Sequence, residues 1–340
     1  MGADMKVLVV GAGNIGTTLA NVLLAHRRVL GLDQVLVQKV REPAPFDAPD
    51  LDELERRGAR VVRATTPGAV ADLFGSVGYV FDCRKDGAAV RDRGRYLDLA
   101  SVRAASAQGS EAGFGVPFVG GVNPGAVIGA RLVQIASCNT HATATLLTAL
   151  GGPDLAQLEE ADLVCVRRCE DLGGRERLVG ASVVSRHRDA DHGTHHAADA
   201  ARVFATLGLA PGVTSSDVTT PSQLMHAVRF NVRLRTARPA AEIAADLAAH
   251  PRLATTAKFD SNRVFELGRR YGFQGRLYAH AVVVANDLMV SGRTVKGWAF
   301  VPQEGNTLLS TLEAFLLQTR PAEADAIARR LCAELITRRL

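Results

Sequence analysis

Lysine is nearly missing from this chain. It occurs only at Lys6, Lys39, Lys85, Lys258 and Lys296, so the formal charge of +5 rests on arginines that are scattered rather than gathered into a stripe. That distribution excludes a nucleic-acid surface as an organising feature. It leaves small phosphorylated or acidic molecules as the anionic partners that local arginine pairs favour. Cysteine is sparse and odd in number, at 83, 138, 165, 169 and 332, which excludes a disulfide framework. Cys165 and Cys169 lack the second pair that a structural zinc site needs. No apolar run reaches membrane-spanning length, and Met1–Asp4 lead straight into a strand. Neither a membrane span nor a signal peptide is expected, and the cytoplasm is the expected compartment. Internal repeats and low-complexity segments are also lacking.

What is present suits a globular chain of 340 residues, 47% hydrophobic and 22% charged, long enough for two domains. Lys6–Val10 reads as a buried strand, Asn14–His26 as a helix with Ile15, Leu19, Val22 and Leu23 on one face, and Val35–Val37 as a second strand. Prolines at 43, 45 and 49 make Glu42–Asp50 a loop. A helix over Leu51–Arg57, a strand over Ala59–Arg63, a helix over Gly68–Phe74 and a strand over Val77–Asp82 continue the alternation. Such a pattern predicts an α/β, Rossmann-type doubly wound parallel sheet. Beyond Cys138 the strand candidates are Leu163–Arg168, Ala181–Ser185, Ala227–Leu234 and Ala279–Val284, with helices at Asp199–Leu207 and Ala240–Ala249. These predict a second, α+β catalytic domain with a mixed or antiparallel sheet. The expected division is a dinucleotide-binding domain over 1–137 and a catalytic domain over 138–305, with the C-terminal helical region 306–340 returning to the first.

Gly11-Ala12-Gly13-Asn14-Ile15-Gly16 is a GxGxxG turn placed directly after a strand and opening a helix. The first glycine permits the tight turn, the second admits a pyrophosphate, and the third lets helix and strand pack closely. About twenty residues on, where an NAD-specific site would carry an acidic residue, stand Gln38, Lys39 and Arg41. Lysine and arginine would pair with a 2′-phosphate, so NADP(H) is the preferred cofactor expected, with NAD(H) possible.

Cys138, in Ala136-Ser137-Cys138-Asn139-Thr140-His141-Ala142-Thr143, sits at an expected strand-to-helix junction, where the helix dipole favours the nucleophilic thiolate. His226 is its candidate partner, able to hold the thiolate in an ion pair and exchange a proton with substrate. Arg167 and Arg168 end a strand and point to opposite faces, so one of them is expected to reach an anionic group. His195 and His196 read as a surface loop or as phosphate contacts. No metal site is expected, because no separate ligand accompanies them.

In this order the segments resemble the archaeal-type phosphorylating glyceraldehyde-3-phosphate dehydrogenases over nearly the whole chain. The likeness rests on the Cys138 motif, Val166-Arg167-Arg168, His195-His196, the Thr219-Thr220-Pro221 to Leu224-Met225-His226 segment, Val301-Pro302-Gln303-Glu304-Gly305-Asn306, and Val37-Gln38-Lys39-Val40-Arg41. It implies Cys138 as nucleophile and His226 as base. It also implies a substrate and phosphate pocket drawn from Asn139, Thr140, His141, Arg167, Arg168, His195 and His196. Asn306 would stand beside the cofactor, in a homotetramer or dimer. The chain departs from the family at His141, where a second threonine is usual, at Cys169-Glu170-Asp171-Leu172 after the arginine pair, at Val228, and in extra sequence around Ser185–Gly193. Two alternatives follow: a biosynthetic reductase of another acyl phosphate, and a non-catalytic NADP-binding redox sensor.

Overall fold

The computed structural model describes residues 5–41, 47–63, 73–85, 87–109, 111–170, 179–222 and 224–340. The chain divides into two compact units. One holds the residues up to Gly120, Pro124–Ala136 and Ser310–Ala328; the other holds Gly121–Asn123, Ser137–Leu309 and Arg329–Leu340. The C-terminal region is therefore shared, where 306–340 was expected to return wholly to the first unit. The last residues stay with the second unit because they add to its sheet edge. Thr255 N–H donates to Arg338 O (2.8 Å) and Leu340 N–H to Thr255 O (2.9 Å).

The first unit is built on seven parallel strands, β1 (Met5–Val10), β2 (Leu32–Gln38), β3 (Arg60–Val62), β4 (Tyr79–Asp82), β5 (Ala104–Gln108), β6 (Val116–Phe118) and β7 (Leu132–Ile135). Their order is β3-β2-β1-β4-β5-β7-β6, so the direction of winding reverses between β1 and β4. In open α/β sheets that switch point is where ligands bind, beyond the carboxyl ends of the strands. Val7, Leu8 and Val9 of β1 are fully buried, as a central parallel strand covered on both faces requires. Helix α1 (Asn14–Ala25) follows β1 and turns Leu19, Val22 and Leu23 inward. The polar stretch expected as a loop already enters a helix, Ala48–Arg56, with a proline in its first turn, where the missing N–H costs nothing. Residues 42–46 of the expected loop and most of the helix expected at Gly68–Phe74 lie outside the described residues.

The second unit carries a mixed sheet, ordered β12-β13-β15-β11-β8-β10-β9 with β14 on β15. Its strands are β8 (Leu158–Arg168), β9 (Val183–Val184), β10 (Val213–Thr220), β11 (His226–Leu234), β12 (Leu253–Thr256), β13 (Ala281–Val284), β14 (Met289–Ser291) and β15 (Thr294–Val301). β8 runs antiparallel to β11 and parallel to β10, which makes it a central strand between two functional neighbours. Helix α2 (Cys138–Gly151) is buried on nearly every side, despite its threonines. Helix α3 (His195–Ala205) packs against it and against β10. No helix among the described residues is long and apolar enough to cross a membrane.

Candidate active site

The glycine turn follows β1. Gly11 takes φ +96°, a conformation that side chains rarely adopt, and its N–H and that of Ala12 both donate to Gln38 O. A Cβ on Gly16 would lie 2.0 Å from Gly11 O, so the helix start and strand end approach as only glycine allows. No side chain caps α1, and its first turn holds no acidic residue. The free N–H groups of Asn14, Ile15 and Gly16, with the positive end of the helix, are what a pyrophosphate needs. The turn therefore fits a dinucleotide. Lys39 is half-bound already: its Nζ donates to Ala12 O (3.2 Å) and pairs with Asp47 (2.8 Å). Arg41 is exposed. Asp47 places a carboxylate beside the lysine expected to meet a 2′-phosphate. The run of prolines between them hid it from the spacing rule.

In the second unit Ser137 caps α2, its Oγ accepting from Thr140 N–H (3.4 Å) and sharing a hydrogen bond with Thr140 Oγ1 (2.8 Å). Cys138 thereby takes the first helical position. Its Sγ accepts from Asn139 N–H, and the Arg168 guanidinium favours its charged form. Burial opposes both and wins, pushing the thiol up to about 11. The helix terminus alone does not produce a resting thiolate, contrary to expectation. Asn306 Nδ2 donates to Cys138 O and to His280 O, both at 3.0 Å. It pins the backbone under the thiol, and its buried Oδ1 has no hydrogen-bond partner. Gly305 makes that approach possible, since a Cβ there would lie 2.3 Å from Leu277 O.

Thr140 and His141, expected in the substrate pocket, are fully buried supports. His141 Nδ1 lies 3.0 Å from Ser137 O, and its ring meets His280 edge-to-face at 4.8 Å. The His280 ring in turn bonds Thr145 Oγ1 (2.7 Å). Asn139 is also buried, and its Oδ1 has no hydrogen-bond partner.

His226 opens β11, immediately after Met225, which holds φ +60°. Such strain costs of order 1–3 kcal/mol and persists where surrounding packing fixes it, often at functional sites. His226 Nδ1 accepts from Arg168 N–H (3.0 Å), which leaves the proton of the neutral ring on Nε2. Burial, then Arg168 and Arg167, lower its pKa to about 3. In this state the ring is a donor at Nε2, and the imidazolium–thiolate pair expected from the sequence is absent.

The two arginines do point to opposite faces. Arg168 is buried and ion-paired through Nη1 with buried Glu304, a residue whose role the sequence reading passed over. Arg167 is over a third exposed and lies 3.8 Å from Asp217 on β10. Asp217 is the second residue missed, because the polar strand Val213–Thr220 shows no apolar alternation. It brings a carboxylate to His195 and His196, which open α3. No protein-family model and no curated protein matches this chain.

Proposed function

We propose that the protein is an NADP-preferring phosphorylating aldehyde dehydrogenase that works through a thioester on Cys138. Glyceraldehyde 3-phosphate, or a related phosphorylated aldehyde or acyl phosphate, is the substrate. One observation carries the reading: a half-buried cysteine at the first position of a capped, buried helix, its sulfur against Asn139 N–H and Arg168. Structural cysteines have no need of those partners.

The glycine turn, the first turn of α1, Lys39 and Arg41 would hold a nicotinamide dinucleotide, which would supply the hydride acceptor. Cys138 Sγ bonds to the aldehyde carbon, and the thiol proton ends on the former carbonyl oxygen. Asn139 N–H and His226 Nε2–H supply donors to that oxygen as charge develops, a neutral imidazole acting here as a hydrogen-bond donor. Loss of the hydride to the nucleotide, with release of the hydroxyl proton to water, would leave a thioester on Cys138. Phosphate then attacks the thioester carbon, the C–S bond breaks, and the acyl phosphate leaves while sulfur regains a proton. Arg167, reaching out from β8, is the side chain placed to pair with a substrate phosphate.

His141 favours a second reading, in which the same machinery reduces a different acyl phosphate to an aldehyde. With that side chain buried and bonded to Ser137 O, no second threonine hydroxyl is offered to inorganic phosphate. The deciding assay is NADP(H) turnover with glyceraldehyde 3-phosphate, with and without inorganic phosphate, beside Cys138→Ser. Phosphate-dependent turnover lost in the variant supports the first reading. Turnover restricted to other acyl phosphates supports the second. Thiol-independent turnover would sink both.

A further inference from the structure

We propose that His195, His196 and Asp217 bind a divalent transition-metal ion of the zinc class, an inference that stands apart from the reaction assigned to Cys138. One ligand atom from each lies within 4.8 Å of the other two. His196 is 3% exposed, and neither of its ring nitrogens has a hydrogen-bond partner. A buried imidazole left so has given up its bonds to water without replacement, a loss that a ligand would recover.

The carboxylate is divided between two tasks. Asp217 Oδ1 accepts from Ser185 Oγ and is the oxygen nearer Arg167. Asp217 Oδ2 faces His196 Nε2 at 3.6 Å, beyond a normal hydrogen bond. Two ligands bound to tetrahedral zinc at about 2.0–2.2 Å stand roughly 3.4 Å apart, so this gap has the width of one edge of a coordination tetrahedron. The His195 ring lies against His196 at 3.9 Å between centroids and is exposed enough to turn in as the third ligand. Imidazole with carboxylate suits zinc, cobalt, nickel or copper better than magnesium or calcium. Two features oppose a cation, the positive start of α3 and the Arg167 guanidinium. In the first, Ala197 N–H already donates to Ser215 Oγ (3.0 Å), and the second lies nearer the other carboxylate oxygen. Ser185 then serves as the outer partner that orients Oδ2 toward the ion.

The test is titration of the full chain, freed of metal by a chelator, with Zn²⁺ and with Co²⁺, read by calorimetry and by the visible spectrum of cobalt. One ion per chain is expected, with no thiolate-to-cobalt absorption, and binding is expected to persist in Cys138→Ser. Asp217→Asn and His196→Ala should each weaken binding by more than the roughly 10–100-fold that loss of an outer partner costs, and Ser185→Ala by that range. Because His196 is buried, His195→Ala serves as the variant that leaves the fold undisturbed, and it too should lower affinity at least about tenfold. Failure of the wild type to take up an ion at micromolar metal would overturn the proposal. So would affinity unchanged in His195→Ala and Asp217→Asn, or affinity lost in Cys138→Ser. The readout is metal uptake, so it is blind to whether the dehydrogenase reading holds.

Discussion

In the first unit the candidate cofactor turn is made almost wholly of backbone: Gly11 at positive φ, Gly16 pressed against Gly11 O, and the open N–H groups at the start of α1. In the second unit the candidate active site is made of side chains drawn from four separate segments: Cys138, Arg168, His226, and Glu304 with Asn306. A backbone device needs only a few neighbouring residues, so it survives as a local pattern. A side-chain device depends on which groups the sheet brings together and on how deeply it buries them. The two units should therefore break differently, the first by steric insult at single glycines and the second by unpairing charges.

The largest effect is expected at the sulfur. Cys138→Ser should lower turnover by about 10⁴-fold or more while leaving NADPH binding unchanged, measured by steady-state rates and nucleotide fluorescence. Next is Arg168→Ala, which strands the Glu304 carboxylate in a buried site. Breaking such a pair costs about 3–5 kcal/mol, measurable by urea unfolding. Because Arg168 also favours the charged form of Cys138, alkylation of the thiol at a fixed pH should slow as well. Arg168→Met combined with Glu304→Leu should recover most of the stability and none of the thiol reactivity. Equal losses of stability in the single and double variants would show that packing, not charge, holds this part of the unit.

Gly16→Ala carries the comparison to the first unit. Its Cβ would meet Gly11 O at 2.0 Å, so the turn must open. A loss of about 1–3 kcal/mol and of dinucleotide binding is expected, with the rate of Cys138 alkylation untouched. If alkylation changed in step, the two units would not be separable devices.

How far the sequence could be read follows the same divide. The alternation of strands and helices gave the parallel sheet and the GxGxxG turn, because period and glycine spacing are local quantities. The opposed faces of Arg167 and Arg168 followed from the two-residue period of a strand. Cys138 was legible at a strand-to-helix junction; the Ser137 cap that fixes it at the first helical position shows in the structure. What spacing could not show was burial. The dipole argument favours a thiolate, but desolvation outweighs it; burial also keeps His226 neutral, and the Arg168 N–H at Nδ1 leaves its proton on Nε2. Asn306, Thr140 and His141, read as ligand contacts, also bond Cys138 O, Ser137 Oγ and Ser137 O within their own fold, partners that spacing does not reveal. Asp217 and Glu304 went unread because their partners lie on other strands and loops.

Buried neutral histidines also give the second unit a pH signature. His226 is lowered to about 3 and His250 to about 4, from an ordinary 6.5, in both cases mainly by burial. Their contribution to stability is complete above about 6.5. As pH falls from there toward 3, the unfolded chain takes up protons that the folded chain refuses, and stability declines. Thermal melts across that range should show the decline, and it should be shallower in His250→Gln. An unchanged slope in that variant would place the acid sensitivity elsewhere.

The smallest effect, and the one that tests the cofactor preference, lies at Lys39. Its ammonium is shared between Ala12 O and Asp47, so a 2′-phosphate must compete with a carboxylate already in place at 2.8 Å. Charged pairs at such part-buried positions are worth about 1 kcal/mol, or several-fold in binding. Lys39→Ala should reduce affinity for NADPH several-fold with little change for NADH. Asp47→Asn should do the reverse, raising NADPH affinity by freeing the lysine and removing a like charge from the phosphate. Should Asp47→Asn weaken NADH instead, that carboxylate would be holding the ribose hydroxyls, and the preference would run toward NAD. The same substitution thus separates a lysine that reads phosphate from an aspartate that reads ribose, at a position where composition alone spoke only for the lysine.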